Sequence, residues 1–259
     1  MKQQIAVVKI GGALLEDESL LEKISRAFAS MDGTRILVHG GGNRASQISR
    51  ALGIEPNLTG GRRITDARTL DVVTMVYGGW ANKKLVARLQ SLGCNAIGLS
   101  GADADLIRAV KRPVKDIDFG FVGDVERVGV KTLVPLLQAG LTPVFCSLTH
   151  DGKGQLLNTN ADTVAAEIAG ALCREYHTRL YYCFDKNGVL GDLRDPDSTL
   201  PGIDRAAFRK LQQEGVIAEG MLPKLHNAFM ALDKGVEEVR IGPPDMLTGN
   251  NNTFTKLTL

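Results

Sequence analysis

The sequence predicts an α/β protein built on a mainly parallel β-sheet. Three observations carry that expectation: short apolar runs rich in β-branched residues, the helix-period segments between them, and the glycine or polar turns at which most runs end. Runs of this kind belong to strands covered by helices on both faces. The architecture expected is an open αβα sandwich carrying a small antiparallel hairpin insert.

In chain order, Ile5 to Ile10 is the first strand and a helix follows over about 17–30. Arg35 to His39 is the second strand, followed by helices over about 43–53 and 66–92, and Asn95 to Ser100 is the third strand. From Leu106 to Val128 the rhythm breaks, with polar and apolar residues alternating around Pro113 and Gly120. That alternation predicts antiparallel hairpins, placed to form a rim or lid beside a ligand. The parallel rhythm resumes with a helix over 131–139, a strand from Thr142 to Leu148, a helix over 160–175 and a strand from Leu180 to Phe184. Helices over 204–214 and 220–234 and a strand from Glu238 to Ile241 complete the chain. No repeat, low-complexity tract or linker interrupts it, so residues 1–259 are expected to form a single domain.

Composition narrows the function. The 31 Lys and Arg against 29 Asp and Glu give a net charge of +2, which argues against a polyanion-coating surface and a nucleic-acid partner. Ile5 to Val8 is too short for a signal or membrane segment, so a cytoplasmic protein is expected, with no membrane partner. The four cysteines show no CxxC spacing and most lie in apolar runs, as buried thiols do. Glycine is the outlier, with 29 residues in 259, well above the roughly 7% of an average protein.

Two glycine clusters stand at strand-to-helix junctions: Lys9-Ile10-Gly11-Gly12 and His39-Gly40-Gly41-Gly42-Asn43. Each is a tight turn at the least. Together, with a lysine in one, they point to backbone amides gathered around phosphate at one sheet edge. The dinucleotide fingerprint fails, because no acidic strand end follows Gly40-Gly41-Gly42 at the required distance, and no Walker A loop exists. Asn158-Thr159-Asn160-Ala161-Asp162 precedes a helix, where Asn160 or Asp162 can serve as N-cap. Gly220-Met221-Leu222-Pro223-Lys224 puts a lysine in a first turn, opposing the macrodipole unless an anion is present. Gly60-Gly61-Arg62-Arg63-Ile64-Thr65 offers a guanidinium fork for a carboxylate, or a solvated basic turn.

These segments, with Asn82-Lys83 and Gly98-Leu99-Ser100-Gly101, occur in the order seen in the amino-acid kinase superfamily, and over nearly the whole chain the sequence most resembles its N-acetylglutamate kinases. The resemblance implies an acyl-glutamate lobe over about 1–155 and a nucleotide lobe over about 156–259. It implies phosphorylation of the γ-carboxylate of an N-acylated glutamate, with ATP and with Mg2+ bound through the nucleotide phosphates, in arginine synthesis. Lys9, Lys224 and Asp162 are its catalytic residues, with Asp162 organising the two lysines. Gly41, Gly42, Arg63 and Asn158 are its substrate-binding residues. Gly11, Gly12, Asp185, Gly188, Leu190, Gly220 and Met221 are its nucleotide contacts, and no protein metal ligand is implied. A homodimer with weak or absent arginine feedback is expected.

The departures are informative as well. Lys186-Asn187 replaces a small apolar pair, and Trp80 replaces a smaller residue in the stripe Leu70, Val73, Tyr77, Trp80, which reads first as core and second as a dimer seam. Arg62 stands where the family is commonly apolar, near the acyl group. Either it points to solvent, or it binds a second carboxylate and the acyl group is succinyl rather than acetyl. A non-catalytic metabolite sensor on the same fold is the remaining alternative, opposed by the retention of Lys9, Asp162 and Lys224.

Overall fold

The computed structural model describes residues 2–192, 194–195, 197–217, 221–249 and 253–259. In chain order the first half comprises β1 (Gln4–Ile10), α1 (Glu18–Ala29), β2 (Thr34–His39), α2 (Gly42–Ala51), β3 (Leu58–Thr59), β4 (Arg62–Arg63), α3 (Ala67–Val73), α4 (Asn82–Ser91), β5 (Ala96–Leu99), β6 (Ile107–Lys111) and β7 (Gly123–Val128). The second half comprises α5 (Val130–Gln138), β8 (Thr142–Cys146), β9 (Leu148–His150), β10 (Leu156–Asn158), α6 (Ala161–Leu172), β11 (His177–Cys183), β12 (Gly202–Ile203), α7 (Arg205–Gln213), α8 (Leu222–Asp233), β13 (Glu238–Gly242) and β14 (Thr255–Leu257). The predicted helix over 66–92 is there, but its middle, Thr74–Ala81, winds as a π-helix between α3 and α4.

Local chemistry explains the boundaries. Asp17, Asp66 and Asp204 cap α1, α3 and α7, each accepting a backbone N–H from the first turn. Gly53 and Gly93, at φ 70° and 79°, turn the chain out of α2 and α4 in a conformation that a side chain would strain.

The chain folds as two compact units, residues 1–35 with 165–259, and residues 36–164. This differs from the lobe boundary expected near 155. Residues 1–35 join the C-terminal part because β1 pairs in parallel with β11 along its whole length, Gln4 opposite His177 through Ile10 opposite Cys183. In this first unit β11 also pairs in parallel with β13, β14 runs antiparallel to β13, and β12 lies outside β14. Apolar residues fill the middle of these strands, with Val7, Val8, Leu180, Val239 and Ile241 inaccessible to solvent.

In the second unit β2, β8 and β5 form a parallel run. Its core gathers Ala45, Leu70, Val72, Val73, Val76, Tyr77, Cys146 and Leu148. The insert is present and larger than the sequence suggested: β6 and β7 are antiparallel, and β9 and β10 extend them to a sheet in the order β10-β9-β6-β7. Both parallel runs and this insert make the chain α/β with a mainly parallel sheet, as expected. Among the described residues no helix is long and apolar enough to cross a membrane.

Candidate active site

In the second unit the glycine turn after β2 is held from beneath. His39, wholly buried, has its Nδ1 at 2.7 Å from the Gly40 carbonyl, and its Nε2 faces the Asn82 amide nitrogen at 3.1 Å. Asn82 Nδ2 also donates to the Val144 carbonyl, so His39 Nε2 accepts and Nδ1–H donates, which fixes a neutral tautomer. Burial lowers the His39 pKa to about 4. An unfolded chain binds this proton near pH 6.5, whereas the folded chain does not until about pH 4. Stability is therefore complete above pH 6.5 and falls as pH drops towards 4, by about 3 kcal/mol in all. Urea midpoints at pH 7.5 and 5.0 are expected to show the fall, and His39→Gln is expected to flatten it; an unchanged slope in that variant assigns the effect elsewhere.

Gly41 precedes α2, and a Cβ there would lie 2.9 Å from the Tyr77 ring. Tyr77 is buried and cannot swing away. Gly41→Ala is thus expected to cost about 1–3 kcal/mol through overpacking and to raise the KM for the acceptor substrate. Thermal melts and initial rates check this, with Tyr77→Leu restoring stability in the double variant.

The Gly42 carbonyl accepts from Arg63 Nη2 at 2.8 Å, and the Ser46 hydroxyl, one turn along α2, accepts from the same nitrogen at 2.7 Å. Arg63 is only 7% exposed, and its Nη1 is shielded from solvent with no hydrogen-bond partner among the described residues. The Tyr77 hydroxyl sits beside this guanidinium; burial pushes the phenol above its ordinary value and the Arg63 charge offsets part of the rise. A buried cation with an unfilled donor is costly unless an anion completes it.

Asn158 closes the same side. Its amide donates to Thr65 Oγ1 at 3.0 Å, and Thr65 Oγ1 donates to the Arg63 carbonyl at 3.0 Å. The backbones of Thr65 and Asn158 both bond to the Phe119 to Phe121 segment, so the insert fixes these residues in place. The capping question resolves on Asn160, whose side chain accepts from the Asp162 and Thr163 amides. Asp162 is buried in the first turn of α6, where the helix dipole favours its negative charge. Gly41, Gly42, Arg63 and Asn158 therefore lie in one bonded neighbourhood. Arg62, on the opposite face of the two-residue strand β4, lines a separate cavity with Arg112 and Asp124.

In the first unit Lys9 and Gly11 leave the C-terminal end of β1, beside the end of β11. Lys9 is buried, and its charge offsets part of the upward push that burial gives the Cys183 thiol. The Gly11 N–H already donates to the Cys183 carbonyl at 3.2 Å, so the amide suited to a ligand is further along, where Gly12 opens a 3-10 turn. Asp185 is exposed just past β11, while Gly188 and Leu190 are buried. A Cβ on Gly188, at φ 150°, would lie 2.6 Å from Thr255 Oγ1, which accepts the Val189 N–H. Met221 precedes α8 and Lys224 lies half-buried in its first turn. Gly220 lies outside the described residues.

Sequence reasoning did not single out Ser46 and Tyr77 as the side chains set against Arg63. Ser46 was detectable, four residues after Gly42 and so on the same helix face. Tyr77 was read only as part of an apolar stripe; Leu70, Val73 and Tyr77 are buried, while Trp80 is 37% exposed between Arg44 and Lys84, which stack on its ring.

Comparison with known proteins identifies the family. Residues 4–243 match the model of the amino acid kinase family. The acetylglutamate kinase of Bacteroides thetaiotaomicron is 51% identical over 256 residues, covering 99% of this chain and all of the relative. That of Phocaeicola vulgatus is 50% identical with the same coverage. The crystal structure of a Streptococcus mutans protein superposes with a TM-score of 0.80 at 25% identity, over 98% of both chains. The chain belongs to the amino acid kinase family and, within it, to the acetylglutamate kinases.

Proposed function

We propose that the chain transfers the γ-phosphoryl group of ATP to the γ-carboxylate of N-acetyl-L-glutamate, as a step of arginine synthesis. The carrying observation is Arg63: a buried guanidinium aligned by Gly42 and Ser46, with Nη1 unfilled, awaits an anion of the acceptor. The α-carboxylate fits that place, with Asn158 beside it and Gly41 and Gly42 lining the approach. Names carried by relatives at about half identity over the full length support the same acceptor.

The acceptor needs no general base. A γ-carboxylic acid has a pKa of about 4.3, so its oxygen is already an anionic nucleophile at neutral pH. That oxygen forms the new bond to phosphorus while the bond to the β-phosphate oxygen breaks, leaving ADP and an acyl phosphate. What remains for the protein is alignment and charge stabilisation. Lys9, Lys224 and Asp162 are proposed as the catalytic residues, the lysines neutralising charge on the transferred group. Gly11, Gly12, Asp185, Gly188, Leu190, Gly220 and Met221 are proposed for the nucleotide. Gly11 contributes by its missing side chain, since its N–H is spent on the sheet. Mg2+, bound through the phosphates, supplies further neutralisation.

A cytoplasmic homodimer completes the reading, with Met75 and Trp80 exposed on the helical stretch around the π-turn as apolar surface for a second copy. Light scattering checks the mass. Activity is tested by incubating the protein with N-acetyl-L-glutamate and MgATP and trapping the product with hydroxylamine. Hydroxamate formation that requires both substrates and stops with EDTA is expected; none above the blank overturns the reading.

A further inference from the structure

The second unit holds a cavity of about 510 Å³ on the Arg62 face of β4, bounded by the 112–119 segment and Asp124. Arg112 is rigid there: its Nε donates to Asp124 at 3.0 Å and its guanidinium stacks 5.3 Å from the centre of the Phe119 ring. Its Nη1 is shielded from solvent and has no hydrogen-bond partner among the described residues. Arg62 lies close enough for the Arg112 charge to oppose its own and for the Asp124 carboxylate to offset part of that.

The lining carries Arg62, Arg112 and Lys115 against Asp116 and Asp124. Three positive charges and two negative ones leave one positive charge, matched by a singly charged anion rather than a phosphate dianion. Two guanidinium forks favour a planar anion with two oxygens. Phe119, Ile117 and Pro113 supply an apolar wall for a few methylene groups. We propose that this cavity binds a carboxylate carried on a short aliphatic stem.

Such a carboxylate has two sources. It can terminate the acyl substituent of the substrate, as in N-succinyl-L-glutamate, with the stem passing β4 from the Arg63 face to the Arg62 face; that arm rests on the kinase reading. It can also belong to a separate small monocarboxylate, an arm independent of that reading.

Hydroxamate assays on the full chain with N-succinyl- and N-acetyl-L-glutamate, and calorimetric titration with monomethyl succinate, separate them. In the first case the wild type favours the succinyl substrate in kcat/KM by about tenfold or more, Arg62→Gln brings the ratio towards one, and Arg62→Lys retains part of it. In the second case the ratio is near one or favours acetyl, while monomethyl succinate binds and Arg62→Gln or Lys115→Gln weakens it about fivefold or more. No succinyl preference together with no Arg62-dependent binding overturns the proposal. Binding of monomethyl succinate without phosphorylation of either acyl-glutamate sinks the kinase reading and upholds the cavity. Thermal melts of each variant confirm folding, which the exposure of Arg62 favours.

Discussion

Lys9→Ala is expected to lower kcat by about 10²–10³-fold while KM for either substrate changes far less. The reasoning starts from burial. Lys9 is 7% exposed near the end of β1, at the sheet edge where parallel α/β folds bind ligands, so its charge has a task there. If that is to stabilise charge developing on the transferred phosphoryl group, its loss appears in the chemical step. Lys224→Ala is expected to act in the same sense, because a first-turn lysine opposes its own helix dipole and is compensated by an anion. Single-turnover rates at saturating substrate provide the measurement; a kcat within threefold of wild type removes the residue from the mechanism.

Arg63→Met is expected to raise KM for N-acetyl-L-glutamate by about 10²-fold or more, with a smaller fall in kcat. The guanidinium does two things at once. Its Nη2 ties the Gly42 carbonyl to Ser46, and its Nη1 has no protein partner among the described residues. Methionine keeps much of the stem volume and removes the fork, so stability drops modestly while affinity drops steeply. Arg63→Lys is expected to rescue little, since a point charge cannot serve Gly42, Ser46 and a carboxylate together. Full rescue by lysine would show that charge alone matters and would overturn the fork assignment.

Much of this was legible in the sequence because parallel sheets write themselves plainly. Ile5 to Val8 and Ile36 to Val38 are apolar on both faces, and strands fall on them, while Glu238 to Ile241 alternates charged and apolar residues and is a strand as well. Helix spans were legible without their end residues, which the structure assigns to Asp17, Asp66 and Asp204 as caps and to Gly53 and Gly93 as exits. Four features were not legible there. The pairing of β1 with β11 is a long-range choice that no local pattern encodes, and it moves residues 1–35 into the C-terminal unit. Strands β9 and β10 are three residues each, too short for periodicity to register. At the site, residue types pointed to Arg63, but only the fold shows that Ser46 and Gly42 consume one nitrogen and leave the other. The backbone use of Gly11 was equally hidden, since a glycine turn reads the same whether its N–H faces a ligand or a neighbouring strand.

The π-helical stretch Thr74–Ala81 has a bearing on how this chain tolerates changes in length. Tyr77, within it, packs against Gly41, while Asn82, just beyond it, reaches His39 and Val144. A π-turn holds one residue more than an α-turn, so this stretch carries an excess residue that its wider winding absorbs while the phase of the helix beyond is largely kept. A one-residue deletion within 74–81 is therefore expected to rewind as regular α-helix with Asn82, Leu85 and Leu89 near their places, whereas the same deletion inside α3 turns everything downstream by about 100°. Loss of a single codon is thus expected to be tolerated in this stretch and not in the α-helical turns on either side of it, which thermal melts of the two deletions compare.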